Sequence, residues 1–279
     1  MFELIGQMFA YGFLVRALIV GLLVSLCSAL LGISLVLKRY SMIGDGLSHV
    51  GFGALAVAAS LGLAPLAVAV PVVVASAFLL LRISESSKIK GDAAIGMIST
   101  GALAVGVLVL SLSKGMTTDI NNYLFGSILA MSESDVWLSV LLATVVLALF
   151  VVFYRKLFAV TFDETFARAT GLRAGLYNML LAILTAVTVV LGMRMMGAML
   201  ISSLILFPAL TAMRLFKSFR SVAVSASVIS VVCFILGLFS SYLYNTPTGA
   251  SVVIANIIAF LLFAGIEKIR QHKIVAVNR

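Results

Sequence analysis

Long apolar stretches without charge recur from one end of this 279-residue chain to the other, and that leaves the fold few options. In lipid no water is present to satisfy a peptide group, so a segment must close its own hydrogen bonds, as a helix of roughly 20 residues does across a ~30 Å hydrocarbon core. The chain is 63% hydrophobic and 10% charged, whereas a soluble domain carries about 25% charged residues. A water-soluble globule is therefore excluded. The apolar runs predict nine helices, near 17–37, 47–62, 64–81, 93–112, 136–153, 174–191, 195–213, 221–243 and 250–266. The expected fold is all-α, a polytopic transmembrane helix bundle forming one domain over residues 1–279 and surrounded by membrane lipid. The first run has no basic segment before it and is expected to be a retained helix, not a cleaved signal peptide. Cys27 and Cys233 lie within apolar runs and read as small core residues.

Charge supplies the topology. Cytoplasmic loops hold an excess of Lys and Arg, and here basic residues alternate between loops. Lys38 and Arg39; Arg82, Lys88 and Lys90; Arg155, Lys156, Arg168 and Arg173; Arg214, Lys217 and Arg220; and Lys268, Arg270, Lys273 and Arg279 fall on one side. Only Arg16, Lys114 and Arg194 fall on the other, and a helix too many or too few in the middle would scramble that segregation. The C-terminus is expected to be cytoplasmic and the N-terminus external, in the cell membrane, inner or plasma. The net charge of +9 has the same origin, and no nucleic-acid partner is needed to explain it.

Three stretches carry chemistry. In Gly44-Asp45-Gly46-Leu47-Ser48-His49 a carboxylate and an imidazole stand four residues apart, which on a helix puts them on one face. That donor pair suits a first-row divalent ion such as zinc or manganese, and ionisable groups in membrane segments are functional candidates by default. The alternative is structural: Asp45 caps the second helix and His49 is a hydrogen-bonded core residue. This short, Gly-rich helix is expected to begin as a broken or partly inserted segment. Two ligands do not close a tetrahedral shell, and a second copy related by a two-fold axis would bring the set to four. His272 lies in the basic tail and reads as solvated.

In the cytoplasmic loop near 155–173, Thr161 to Leu172 predicts a short amphipathic helix. Asp163 and Glu164 suit its first turn, Phe162, Phe166 and Ala169 share a face, and Gly171 ends it. It either docks a cytoplasmic partner or packs on the bundle or lipid. Thr117 to Gly126 is an external polar loop running into a short aromatic segment, either a surface helix with an interfacial Tyr or a seat for an external protein. Pro208 is expected to kink the seventh helix. The sequence has no G-x-x-x-x-G-K-[ST] phosphate loop, no H-E-x-x-H and no G-x-S-x-G. An enzyme is not expected, and motor power has to come from another subunit.

Four ordered blocks then resemble one family, the permeases of bacterial zinc and manganese ABC importers. They are Val36 to His49, Asn122 to Leu129, Phe162 to Leu172, and Pro247 to Ala250. The resemblance implies a type II importer permease like that of the vitamin B12 importer, working as a homodimer or pair. Its partners would be two cytoplasmic ATP-binding subunits and an extracytoplasmic metal-binding protein. It also implies that Asp45 and His49 are the metal residues. Phe162, Asp163, Glu164, Phe166, Ala167, Arg168 and Gly171 would form the coupling helix seated in the ATPase. Where the family commonly has Ala or Thr, this chain has Gly46, and where it commonly has Pro, this chain has Glu164. No cofactor is permanently bound; the ion is cargo, with zinc expected first and manganese second. The competing expectation is a gradient-driven carrier needing no ATPase, although such carriers usually place several acids within their helices and here only Asp45 stands out.

Overall fold

The computed structural model describes residues 12–86, 91–113, 126, 132–198 and 200–277, and among them no strand occurs. Ten helices follow in order: α1 Gly12–Leu37, α2 Ile43–Ser60, α3 Pro65–Ser86, α4 Gly91–Leu112, α5 Glu133–Phe162, the short α6 Glu164–Ala169, α7 Ala174–Met196, α8 Ile201–Leu215, α9 Phe219–Tyr244 and α10 Thr248–Val277. The nine long helices match the nine expected. Seven of them are long and apolar enough to cross a membrane. The other two, α2 and α8, have 18 and 15 residues. A 15-residue helix spans only about 22 Å. It suffices here because α8 is packed among α1, α9 and α10, and helices sheltered by protein need not match the lipid thickness alone.

Local chemistry sets the ends. The Ser132 hydroxyl accepts from the Asp135 amide and the Asp135 carboxylate accepts from the Ser132 amide, so a reciprocal capping box starts α5. At the end of α1, Arg39 N–H donates to Val36 O and Tyr40 N–H to Leu35 O at 2.8 Å, with Arg39 in the left-handed region at φ 61°. That is a Schellman closure, with Arg39 where glycine is usual. The turn passes directly into α2, because Ile43 N–H donates to Tyr40 O at 3.0 Å.

Two boundaries differ from the sequence expectation. The second helix begins at Ile43 and is unbroken, which brings Asp45 inside its first turn. The break expected near Arg194 falls instead at 197–200, because Arg194 continues α7 and Gly197, at φ 90°, stops it. The helix α8 runs on both sides of Pro208, from Ile201 to Leu215. The external loop from Thr117 to Phe125 lies outside the described residues, as do Lys88, Lys90, Lys114 and Arg279.

At the centre stands α1, packed against α5, α7, α8 and α9, while α2 packs on α3, α4 and α7. Close approach uses small residues. A Cβ on Gly53 would stand 2.7 Å from Ala102 O, and one on Gly106 2.7 Å from the Phe52 ring, so α2 and α4 touch nearly backbone to backbone. On the outside, Val224, Val228, Val232 and Leu236 form an exposed stripe every fourth residue of α9, and Ile254, Ile258, Leu261 and Leu262 do the same on α10. Apolar stripes of this kind suit lipid, not water.

Ion pairs mark the two ends of the bundle. Arg16 near the start of α1 pairs with Glu133 at the start of α5, and Arg194 at the end of α7 pairs with Asp135 at 2.8 Å. At the opposite end Lys38, after α1, pairs with Glu164, after α5. The helices α1 and α5 therefore run in the same direction and α7 in the opposite one, as the segregation of basic residues requires.

Candidate functional site

Asp45 and His49 are brought together. Counting along α2, they sit in its first two turns, on one face, with His49 Nε2 3.6 Å from Asp45 Oδ2. The residues between and beside them, Gly46, Leu47, Ser48 and Val50, are buried. The pair itself remains open, with side-chain exposures of 36% for Asp45 and 14% for His49. Ser48 Oγ donates to Asp45 O at 2.7 Å and fixes the turn that carries the carboxylate. Asp45 does not cap the helix, since the N-cap position belongs to Met42 with no side-chain cap, and the buried His49 Nδ1 has no hydrogen-bond partner. A polar atom left in that state is costly unless something else satisfies it. Among the described residues no cluster of three or more His, Cys, Asp or Glu is present, so one chain offers a two-residue set.

The short amphipathic helix is α6. Asp163 is its N-cap, accepting from Phe166 N–H at 2.9 Å. Gly171, at φ 85°, closes it, with Gly171 N–H donating to Arg168 O and Leu172 N–H to Ala167 O. Ala167 is the buried contact with the bundle, whereas Phe162 and Phe166 are 70% and 65% exposed and Ala169 is exposed too. The face predicted to be apolar thus points away from the protein.

Sequence reasoning placed Glu164 in the first turn of α6 but not its partners. Lys38 Nζ donates to Glu164 Oε2 at 3.0 Å, Asn178 Nδ2 of α7 donates to the same oxygen at 3.1 Å, and Arg168 Nη2 donates to Oε1 at 2.6 Å. Desolvation alone would raise the pKa of Glu164. The three hydrogen bonds and the Lys38 charge outweigh it and hold the group at about 2, below its ordinary 4.5. A depressed carboxylate stabilises the fold fully above its unfolded pKa and loses that contribution as pH falls through the folded value. In thermal melts of the detergent-solubilised protein, the gap between wild type and Glu164→Gln is expected to be constant above pH 4.5 and to shrink between 4.5 and about 2.

At the other end, sequence reasoning put Arg194 in a loop, but it is buried in the last turn of α7 against Asp135. The clue was available: Asp135 and Glu133 open the fifth helix opposite the only basic residues of that side described here, Arg16 and Arg194. Gly126 presses on this same corner, since a Cβ there would overlap Met195 O and stand 2.5 Å from Gly197 N, and Gly249 presses on Met196 O. A cavity of about 470 Å³, lined by Phe13, Gly126, Tyr242, Asn245 and Thr248, opens beside it. The four blocks that carry the family resemblance therefore meet in pairs: Gly126 and Gly249 on the end of α7, and Lys38 and Glu164 at the opposite end.

A helical bundle with seven membrane-length apolar helices and lipid-suited outer faces is a multi-pass membrane protein. The ABC 3 transport family matches residues 10–266, and the chain belongs to that family. It is 32% identical over 254 residues to the manganese transport system membrane protein MntC of Listeria innocua, covering 91% of this chain and 90% of that protein. It is 31% identical over 246 residues to the high-affinity zinc uptake system membrane protein ZnuB of Haemophilus influenzae, covering 88% and 94%. Among solved structures, PsaBC from Streptococcus pneumoniae in complex with Fab matches with a TM-score of 0.84 and 31% identity, covering 94% of each chain. The protein is accordingly the transmembrane permease of an ATP-driven importer of divalent metal ions, not an enzyme, with ATP hydrolysed on a separate subunit. This replaces the gradient-driven carrier.

Proposed function

We propose that Asp45 and His49 are the residues that hold the ion in transit, and that α6 is the element through which the ATPase acts. The observation that carries the first part is the pair itself, 3.6 Å apart and open, with a buried imidazole nitrogen left unsatisfied. Supporting the second part are the exposed Phe166 on the capped, anchored α6 and the exposed Phe162 at the end of α5 just before it. In this reading the end carrying Lys38 and α6 faces the cytoplasm, in line with the basic residues gathered there. An extracytoplasmic metal-binding protein docks at the other end, beside Gly126 and Gly249.

Two copies of the permease, with two ATPase subunits, would bring two Asp–His pairs to a common axis and offer two oxygens and two nitrogens. That set matches the four-coordinate preference of zinc, which stays the first reading of the cargo. Manganese is the second reading, favoured by the names of several relatives, including MntC and the manganese import system permease protein ScaB of Streptococcus gordonii. Since nitrogen and oxygen sites of most kinds bind zinc more tightly than manganese, binding strength does not identify the cargo. A two-residue set per chain also holds an ion loosely enough to let it go. The deciding test is uptake of labelled zinc and manganese by vesicles holding this chain with its ATPase and binding protein, with and without ATP. ATP-dependent uptake of zinc at the higher rate supports the first reading, manganese at the higher rate supports the second, and uptake of neither overturns both.

A further inference from the structure

The distance in sequence between the coupling element and the metal pair is large, but a short physical path joins them. Glu164 is the first residue of α6. Its carboxylate grips Lys38, whose side chain is only 8% exposed although it carries a charge. Lys38 is in turn part of the hydrogen-bonded closure of α1, and that closure runs without slack into α2 through the bonds Tyr40 N–H to Leu35 O and Ile43 N–H to Tyr40 O. Asp45 and His49 follow within two turns, on a helix that meets α4 through Gly53 and Gly106. Smooth, small-residue contacts of that kind permit one helix to shift along another.

We infer that the Lys38–Glu164 ion pair is the mechanical link by which displacement of α6 moves the α1–α2 turn and so repositions the Asp45–His49 pair, with Lys38 and Glu164 acting as positioning residues. The inference rests on the reading of α6 as the ATPase contact. Asn178 and Arg168 bind the same carboxylate, so Glu164 moves with α6 and α7, and the Lys38 bond ties that carboxylate to the end of α1, beside the packing of α7 on α1. A neutral residue at position 38 would leave α6 and α7 joined and remove that tie. The Lys38 stem also fills space between elements, which makes the choice of substitution matter.

The test uses the full complex, with ATPase and binding protein in vesicles, and reads metal imported per ATP hydrolysed. Lys38→Glu is expected to lower that ratio about five-fold or more, the scale of a modest coupling energy. Lys38→Arg, which keeps a charged donor facing Glu164, is expected to hold it within about two-fold of wild type. Should Lys38→Glu fail to fold, Lys38→Met keeps the apolar stem and carries the same expectation. A folded Lys38→Glu or Lys38→Met variant with the wild-type ratio overturns the link, and so does a Lys38→Arg variant as uncoupled as Lys38→Glu. Phe166→Asp separates the two claims. If it still co-purifies with the ATPase, the reading of α6 fails. If it loses the ATPase while Lys38 variants keep the wild-type ratio, only the link fails.

Discussion

His49→Ala and Asp45→Ala are each expected to lower ATP-dependent metal uptake by about 100-fold or more, while the purified variants are expected to melt close to the wild-type temperature. The size follows from the donor count. Removing groups that merely orient a metal ligand typically costs about 10- to 100-fold, and under the proposal each substitution removes half of the side-chain donors that one chain would bring to the ion. The unchanged melting follows from the surroundings: Asp45 is partly open, caps no helix and touches its partner at 3.6 Å, a contact too long to be a strong hydrogen bond. His49→Ala even removes a buried nitrogen that nothing satisfies. Were the pair structural, the pattern would invert, with lowered melting temperatures and uptake that declines only in proportion to folded protein. Measuring both quantities on the same preparations decides between the two roles.

The parts of this molecule that were legible in the sequence depend on neighbours close in the chain. The pairing of Asp45 with His49 needs only a helix and a spacing of four. The helix α6 needs only Asp163 to open it and Gly171, in a conformation that suits glycine, to close it. Hidden were the contacts between remote segments. Lys38 and Glu164 lie 126 positions apart, and Arg194 and Asp135 lie 59 apart. A charge at the end of an apolar run reads as a loop residue, which is the usual outcome in lipid. It held for Arg39 and misplaced Arg194, because burial against Asp135 lets the guanidinium stay inside the helix. Asn178 carried a signal that went unused, since a buried amide in an otherwise apolar stretch of α7 asks for a partner, and that partner is Glu164. The resemblance to metal importer permeases rests on blocks that are local, yet their meaning is spatial, two meeting at each end of the bundle.

The tightest of the close contacts with backbone predicts the largest effect on folding. Gly32 lies inside α1 toward its C-terminal end, and a Cβ there would overlap the carbonyl oxygen of Ile205 in α8. A clash with a flexible side chain is relieved by rotation, but this one is with backbone, so Gly32→Ala forces α1 and α8 apart. Neither has room to yield. The helix α1 is held on its other sides by α5, α7 and α9, and Ser230 of α9 is hydrogen-bonded to Ser25 O within it at 2.9 Å. The side chain of Ile205 also reaches the start of α2, where a Cβ on Gly44 would stand 3.3 Å from its Cδ1. Widening the α1–α8 crossing therefore disturbs the turn that carries Asp45. Overpacking of an interior typically costs about 1–3 kcal/mol, occasionally more, and a backbone clash belongs at the top of that range. Gly96→Ala in α4 is the matched control: a Cβ there meets nothing within 4 Å, and Ala in place of Gly in a helix interior is favourable by up to about 1 kcal/mol. The measurement is the yield of monodisperse protein after detergent extraction, with its melting temperature. Gly32→Ala is expected to be lost to aggregation or to melt far below wild type, with Gly96→Ala at or above it. Equal behaviour of the two variants would mean that α1 and α8 do not cross at Gly32, and the packing around the metal helix would have to be redrawn.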